Sequence, residues 1–110
     1  MIVATVKEPF YDFGGRKYIV VTLDTKDIYP FTTKDKNVDN PSLVGNDLRI
    51  KVPFRYNRPT CKVVGITPVR ELERGDKVEI ELQYTGVWEV QNKTGTTWKL
   101  NSIEDVSPPR

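Results

Sequence analysis

The chain has 110 residues, enough to bury a core as one domain without metal or disulfide, and its 37% hydrophobic and 29% charged fractions are those of a globular protein. With no histidine and one cysteine, Cys61, it excludes an intramolecular disulfide, His/Cys zinc sites, a Ser-His-Asp triad and a Cys-His dyad. The net charge of +2 is too mild to name a partner, so the placement of charge matters more than its sum.

Taken in order, the chain reads as all-β. Ile2 to Lys7 forms a first strand reaching toward Phe13, and Gly14-Gly15 supplies the positive φ of a tight hairpin turn. Arg16 to Asp24 returns as a second strand with Ile19, Val21 and Leu23 on one face. Ile28 to Thr33 has the residues of a short strand, and Lys34 to Asn46 reads as a long exposed loop of the functional or mobile kind. Leu48 to Asn57 alternates cleanly. Leu48, Ile50, Val52, Phe54 and Tyr56 share one face, Arg49, Lys51 and Arg55 the other, and Pro53 marks an edge or a bulge. Asn57-Arg58-Pro59 is a turn into a strand from Thr60 to Ile66, and VRELERG at 69–75 fits a turn or two of helix closed by Gly75. Lys77 to Tyr84 places Val78, Ile80, Leu82 and Tyr84 inward and Glu79 and Glu81 outward. Gly86 marks a bulge, Val87 to Val90 lead to a turn at 91–95, and Thr96 to Ile103 close the fold. These elements predict a small OB-fold-like barrel of five core strands, with an extra N-terminal hairpin and one short helix, over residues 1–106; a β-sandwich is the competitor. Residues 107–110 are a disordered tail.

Positive charge gathers between Arg49 and Arg70, where Arg49, Lys51, Arg55, Arg58, Lys62 and Arg70 occur without an acidic residue. Cations interleaved with aromatics suit a groove for a single-stranded nucleic acid, charge holding phosphates and rings holding bases. Arg49, Lys51 and Arg55 project from one strand face at about 6–7 Å per two residues, close to the spacing of phosphates in an extended strand. Phe54 belongs to the core by parity, whereas Tyr56 beside Arg58 is a stacking candidate at the strand's end. YDFGGRKY adds a second cluster, with Arg16, Lys17 and Tyr18 at a hairpin tip; ordinary cross-strand aromatic pairing is the plainer account of it. Trp88 shares parity with Tyr84, and Trp98 with Leu100, so both are core by pattern and base platforms if exposed. A charge-paired sheet is the competing reading, with Glu79 or Glu81 lying across from Lys51 or Arg55.

The pattern from Gly75-Asp76-Lys77-Val78 through Tyr84-Thr85-Gly86-Val87-Trp88 to Gly95-Thr96-Thr97-Trp98-Lys99-Leu100 resembles the closing hairpin of OB-fold single-stranded DNA-binding proteins, small viral and phage members among them. The resemblance covers about a third of the chain. It implies a non-enzymatic, sequence-tolerant protein that coats single-stranded DNA in replication or recombination. Many such proteins end in an acidic, partner-recruiting tail, whereas this chain ends Ser107-Pro108-Pro109-Arg110. RNA offers the same phosphates and rings and is not separated from DNA by the sequence. The alternative is a protein-interaction or structural β-domain of viral accessory type, forming a homo-oligomer. The scattered carboxylates give no catalytic or metal pattern, so neither an enzyme nor a cofactor is expected. No apolar run approaches a membrane span, and no signal peptide is evident in MIVATVKEPF, which places the protein in a reducing intracellular compartment.

Overall fold

The computed structural model describes residues 2–35, 37–56, 58–65 and 71–106. Nine strands occur among them: β1 (Ile2–Phe13), β2 (Arg16–Thr22), β3 (Leu43–Val44), β4 (Asp47–Lys51), β5 (Phe54–Arg55), β6 (Arg58–Pro59), β7 (Lys62–Val64), β8 (Lys77–Val90) and β9 (Lys93–Asp105). A 3-10 turn at Thr25–Asp27 leads into the helix α1 (Tyr29–Lys34).

Five strands close into a barrel in the order β1-β2-β4-β9-β8 and back to β1. Every pairing in the ring is antiparallel except β4 with β9. The fold class is therefore the small all-β barrel that the strand pattern predicts. Closure leaves no free edge on the five strands where the ladders run, so the apolar parity of each can face one interior. That interior holds Val6, Ile19, Val21, Leu48, Ile50, Val78, Ile80 and Leu100, all essentially sealed from solvent. At about 25 cal/mol per Å2 of apolar surface, burying a Leu, Ile or Val side chain stabilises by roughly 1.5–3 kcal/mol, so this shared parity holds the ring together.

Two hairpins extend beyond the ring. β1 and β2 meet at Gly14-Gly15, with φ of 61° and 81°, while Asp12 Oδ1 accepts a hydrogen bond from Gly15 N at 3.1 Å. An L side chain is strained at either position, so paired glycines make this two-residue turn. The β8–β9 hairpin turns in two residues at Gln91-Asn92, tighter than the 91–95 turn expected, and β9 accordingly starts at Lys93.

The structure revises four expectations. The segment Ile28 to Thr33 is helical from Tyr29, with Pro30 in the first turn, because Phe31 is needed inside. Its ring is 2% exposed and meets Trp98 edge-on at 4.6 Å between centroids, plugging one end of the barrel. The strand predicted from Leu48 to Asn57 stops at Lys51, since Pro53 cannot continue the ladder; β5 and β6 form a separate small hairpin, so Arg58-Pro59 is strand rather than turn. Asn57 lies outside the described residues. The expected loop from Lys34 to Asn46 is tied down at several of its described residues, with Lys34 in α1 and Leu43–Val44 in β3. The Asp35 carboxylate accepts hydrogen bonds from Leu43 N (2.8 Å) and the Thr96 hydroxyl, and the Asp39 carboxylate accepts one from Thr94 N (2.9 Å). Asn40 bridges to Gly95 in parallel, tying the segment along the start of β9. Finally, of the expected Thr60–Ile66 strand, Lys62–Val64 is β7 and Ile66 lies outside the described residues, as does the expected tail at 107–110. The helix predicted over 69–75 begins outside the described residues; within them, Leu72 is buried in the core.

Candidate nucleic-acid interface

Strand parity sends Leu48 and Ile50 of β4 inward and Arg49 and Lys51 outward. The neighbouring strands continue that outer face. Tyr11 of β1 lies opposite Tyr18 of β2, Tyr18 opposite Lys51 of β4, Lys51 opposite Lys99 of β9, and Lys99 opposite Gln83 of β8. One row thus crosses all five barrel strands, at about 4.8 Å per step. Arg49, one diagonal away, holds its guanidinium 5.7 Å from the Tyr18 ring centre, and Tyr18 and Tyr11 are 5.8 Å apart. Cation–π contact of this kind fixes an arginine without neutralising it. Burial pushes the Tyr11 phenol above its ordinary pKa, against the pull of the Arg49 guanidinium, so it stays a neutral ring at physiological pH.

Trp88 reaches this face through a bulge. Tyr84 pairs with Trp98 and Val87 with Thr96, so β8 spends one extra residue around Thr85-Gly86. That extra residue reverses the side-chain parity, and Trp88 lands on the same outer side as Gly95, Thr97 and Lys99. Its indole lies against Gly95, where any Cβ would overlap the ring. The bulge was visible in the sequence at Gly86; carrying the parity of Tyr84 across it led to the wrong face.

Between the two extended hairpins runs a groove made of three adjoining cavities. The first, about 310 Å3, has Tyr11, Phe13 and Tyr18 on one side, Trp88 on the other, and Arg49 and Lys51 in its lining. The second, about 420 Å3, is lined by Arg16, Lys51, Lys99, Thr97 and Trp88, and the third, about 310 Å3, by Arg16, Lys17, Lys51, Pro53 and Phe54. Arg16 and Lys51 border all three, and among the described residues no carboxylate borders any of them. Among the described residues, Arg16, Arg49, Lys51 and Lys99 make no ion pair; Lys17 does, with Asp12. Glu79 and Glu81 do not face these cations. Glu79 lies opposite Val3 and Glu104, and Glu81 opposite Ser102; both glutamates are on β8, which does not pair with β4.

The sequence candidates therefore separate. Arg16, Tyr18, Arg49, Lys51 and Trp88 come together in the groove, with Lys17 at its β1–β2 end. Arg55, Tyr56 and Arg58 stand on the β5–β6 hairpin, which leaves the groove through Pro53 and Phe54; Tyr56 is 87% exposed, with Arg55 5.3 Å from its ring centre. Tyr56 is not on the inward face its parity suggested, because its φ of 53° places it in the hairpin turn. Lys62, on β7, lies opposite Ser102, three residues along β9 from Lys99. Trp98 is a core residue: 9% exposed, with Tyr84 5.0 Å away and Phe31 beneath it, it has no face free for a base. Tyr11 and Phe13, the other rings of the YDFGGRKY tip cluster, line the first cavity too. Lys99 was missed, although its outward parity follows from placing Trp98 and Leu100 inward.

Burial pushes the Cys61 thiol up, which disfavours the thiolate a nucleophile needs. Among the described residues no group of three His, Cys, Asp or Glu side chains could hold a metal, and no helix is long and apolar enough to cross a membrane. Compared with family models, curated proteins and solved structures, the chain has no match.

Proposed function

We propose that this protein binds single-stranded nucleic acid with little sequence preference, its phosphates held by the cations of the groove and its bases stacked on the flanking rings. One observation carries the reading: Arg16, Arg49, Lys51 and Lys99 converge on a concave surface that no described carboxylate borders, between Trp88 and the Tyr11–Tyr18 pair. Unpaired cations over low-dielectric walls attract a polyanion, and exposed rings accept any base because every base has a π-face. An unpaired strand satisfies both demands, whereas a duplex keeps its bases stacked on one another. Single-stranded DNA exposed in replication or recombination is the partner that the sequence resemblance favours, inside the cell and without enzymatic turnover.

The test is a fluorescence titration with oligo-dT and with duplex DNA of equal length, each at about 20 and 200 mM salt. Trp98 is buried, so quenching of tryptophan emission reports Trp88. The expected result is quenching by oligo-dT, weak binding of the duplex, and affinity that falls steeply with salt. Absence of oligo-dT binding at low salt would refute the proposal. A matched oligo-rU titration decides between DNA and RNA.

A further inference from the structure

The pairing of Lys51 with Lys99 sets two like charges side by side. The two lysines are register partners on adjacent strands, on the same outer face, in the one parallel pairing that closes the barrel. Both are half-buried, both line the 420 Å3 cavity, and Arg16 borders the same space. Like charges directly opposite one another destabilise a ladder, and partial burial weakens the solvent screening that would relieve them. Lys7 and Lys17, by contrast, are neutralised by Asp47 and Asp12. Around Lys51 and Lys99 no described carboxylate is within ion-pair reach. An uncompensated like-charge pair that also lines a cavity beside a third cation and an aromatic ring marks a place where function sets the sequence.

We infer that Lys51 and Lys99, with Arg16 beside them, form a discrete phosphate-binding subsite that is completed by its anion. A tetrahedral oxyanion between two ammonium groups turns the repulsion into two charge-assisted contacts. Trp88 lines the same cavity, so a nucleotide whose phosphate sits on the lysine pair has a ring available to its base. The subsite rests on the proposed function only for the identity of the polyanion. The phosphate chemistry follows from the lysine pair itself.

The consequence is a trade between stability and binding that a merely structural lysine pair does not show. In chloride buffer at low ionic strength, Lys99→Gln and Lys51→Gln each raise the Tm by a few degrees, on the order of 1–4 °C, and the gain shrinks in about 0.3 M salt. Inorganic phosphate raises the Tm of the unsubstituted protein above that in chloride at matched ionic strength, but not the Tm of the double variant. Oligo-dT affinity at low salt falls several-fold or more in each single variant, and the slope of log affinity against log salt drops by about 0.7 per lysine. Mononucleotide dTMP, compared with inorganic phosphate, separates a subsite that also uses the base from one that takes phosphate alone. If the variants melt at the same temperature as the parent or lower, or if phosphate stabilises parent and double variant equally, the subsite is refuted. If the melting results hold and oligo-dT binds neither protein, the subsite stands and the single-strand proposal falls.

Discussion

β9 carries a like-charge cross-strand pair at each of two levels, and the company of the two pairs differs. Lys99 faces Lys51, flanked in the same row by Tyr18 and Tyr11 on one side and Gln83 on the other. Five residues further along, Glu104 faces Glu79, flanked by Val3 and Val64. Neither pair is neutralised by an ion pair among the described residues. The lysines lie in a groove walled by rings from two extended hairpins. The glutamates have aliphatic neighbours and no aromatic in their row. Sign, concavity and aromatic walls together single out the first level as the proposed site, and the acidic level shares only the like-charge pairing.

The sharpest way to break this comparison is to remove the charge from each level in turn. Replacing Arg16, Arg49, Lys51 and Lys99 by Gln together is expected to lower oligo-dT affinity at low salt by about 100-fold or more, and to reduce the salt slope by about 3 at roughly 0.7 per phosphate contact. Glu79→Gln with Glu104→Gln is expected to leave binding unchanged or tighten it a few-fold. Fluorescence anisotropy over a salt series reads both. An unaltered slope in the fourfold variant would mean that the groove is not the phosphate track.

Rings come next. Trp88→Ala is expected to weaken oligo-dT binding about 10- to 100-fold, from a stacking worth of roughly 1–3 kcal/mol per base, with the salt slope unchanged because no charge is lost. Gly95→Ala should produce part of that loss without touching the ring's chemistry, since a methyl group there displaces the indole that rests on Gly95. Equal binding by parent and Trp88→Ala would separate the aromatic wall from the site and leave only charge.

The two levels also differ in how far they can be read from sequence. The inward parity of Leu48, Ile50, Val78, Ile80 and Leu100 is plain alternation, and it assigns Arg49, Lys51 and Glu79 to the outer face correctly. The tip at Gly14-Gly15 and the strand break at Pro53 follow from backbone chemistry that is local to those residues. Three features were hidden because they depend on tertiary partners. Tyr29–Lys34 has the composition of a strand, but Phe31 is drawn into the barrel end against Trp98 and the segment winds to deliver it. Trp88 needs the residue count across a bulge, which only the register of β9 supplies. Lys99 gains its meaning from standing opposite Lys51, and the parallel pairing of β4 with β9 joins residues 48 positions apart.

The β5–β6 hairpin offers a smaller effect that bounds the site. It is inserted where the chain leaves β9 after Lys51 and before it rejoins β9 at Lys62, both contacts being parallel to that strand. Tyr56→Ala is expected to weaken binding of a long oligo-dT by no more than about tenfold, the lower end of what one stacked base is worth, and to leave a short oligonucleotide unaffected. A loss that is equal for both lengths would place Tyr56 inside the groove with Trp88 rather than beyond its Pro53 end.

The smallest effect belongs to the charge that is paired. Asp47, at the start of β4, has its carboxyl held below the usual carboxylate range, first by its hydrogen bond from the Lys7 ammonium and then by that from the Thr22 hydroxyl at 2.7 Å. A carboxyl with a depressed folded-state pKa adds stability that is present above its unfolded value, near 3.9, and disappears as the pH falls through the lower folded value. Both partners of the ion pair are partly exposed, so solvent screening keeps the contribution below about 1 kcal/mol. Asp47→Asn should therefore be less stable than the parent at pH 7 by that amount, with the difference closing below about pH 4, as urea melts at pH 7 and pH 3 would show. Oligo-dT affinity should be the same in both, because Asp47 lies four residues, about 13 Å of strand, from Lys51. A difference that persists at pH 3 would assign the loss to packing, whereas a change in affinity would mean that the groove reaches the paired end of β4 and that the contrast between paired and unpaired charge does not define its limits.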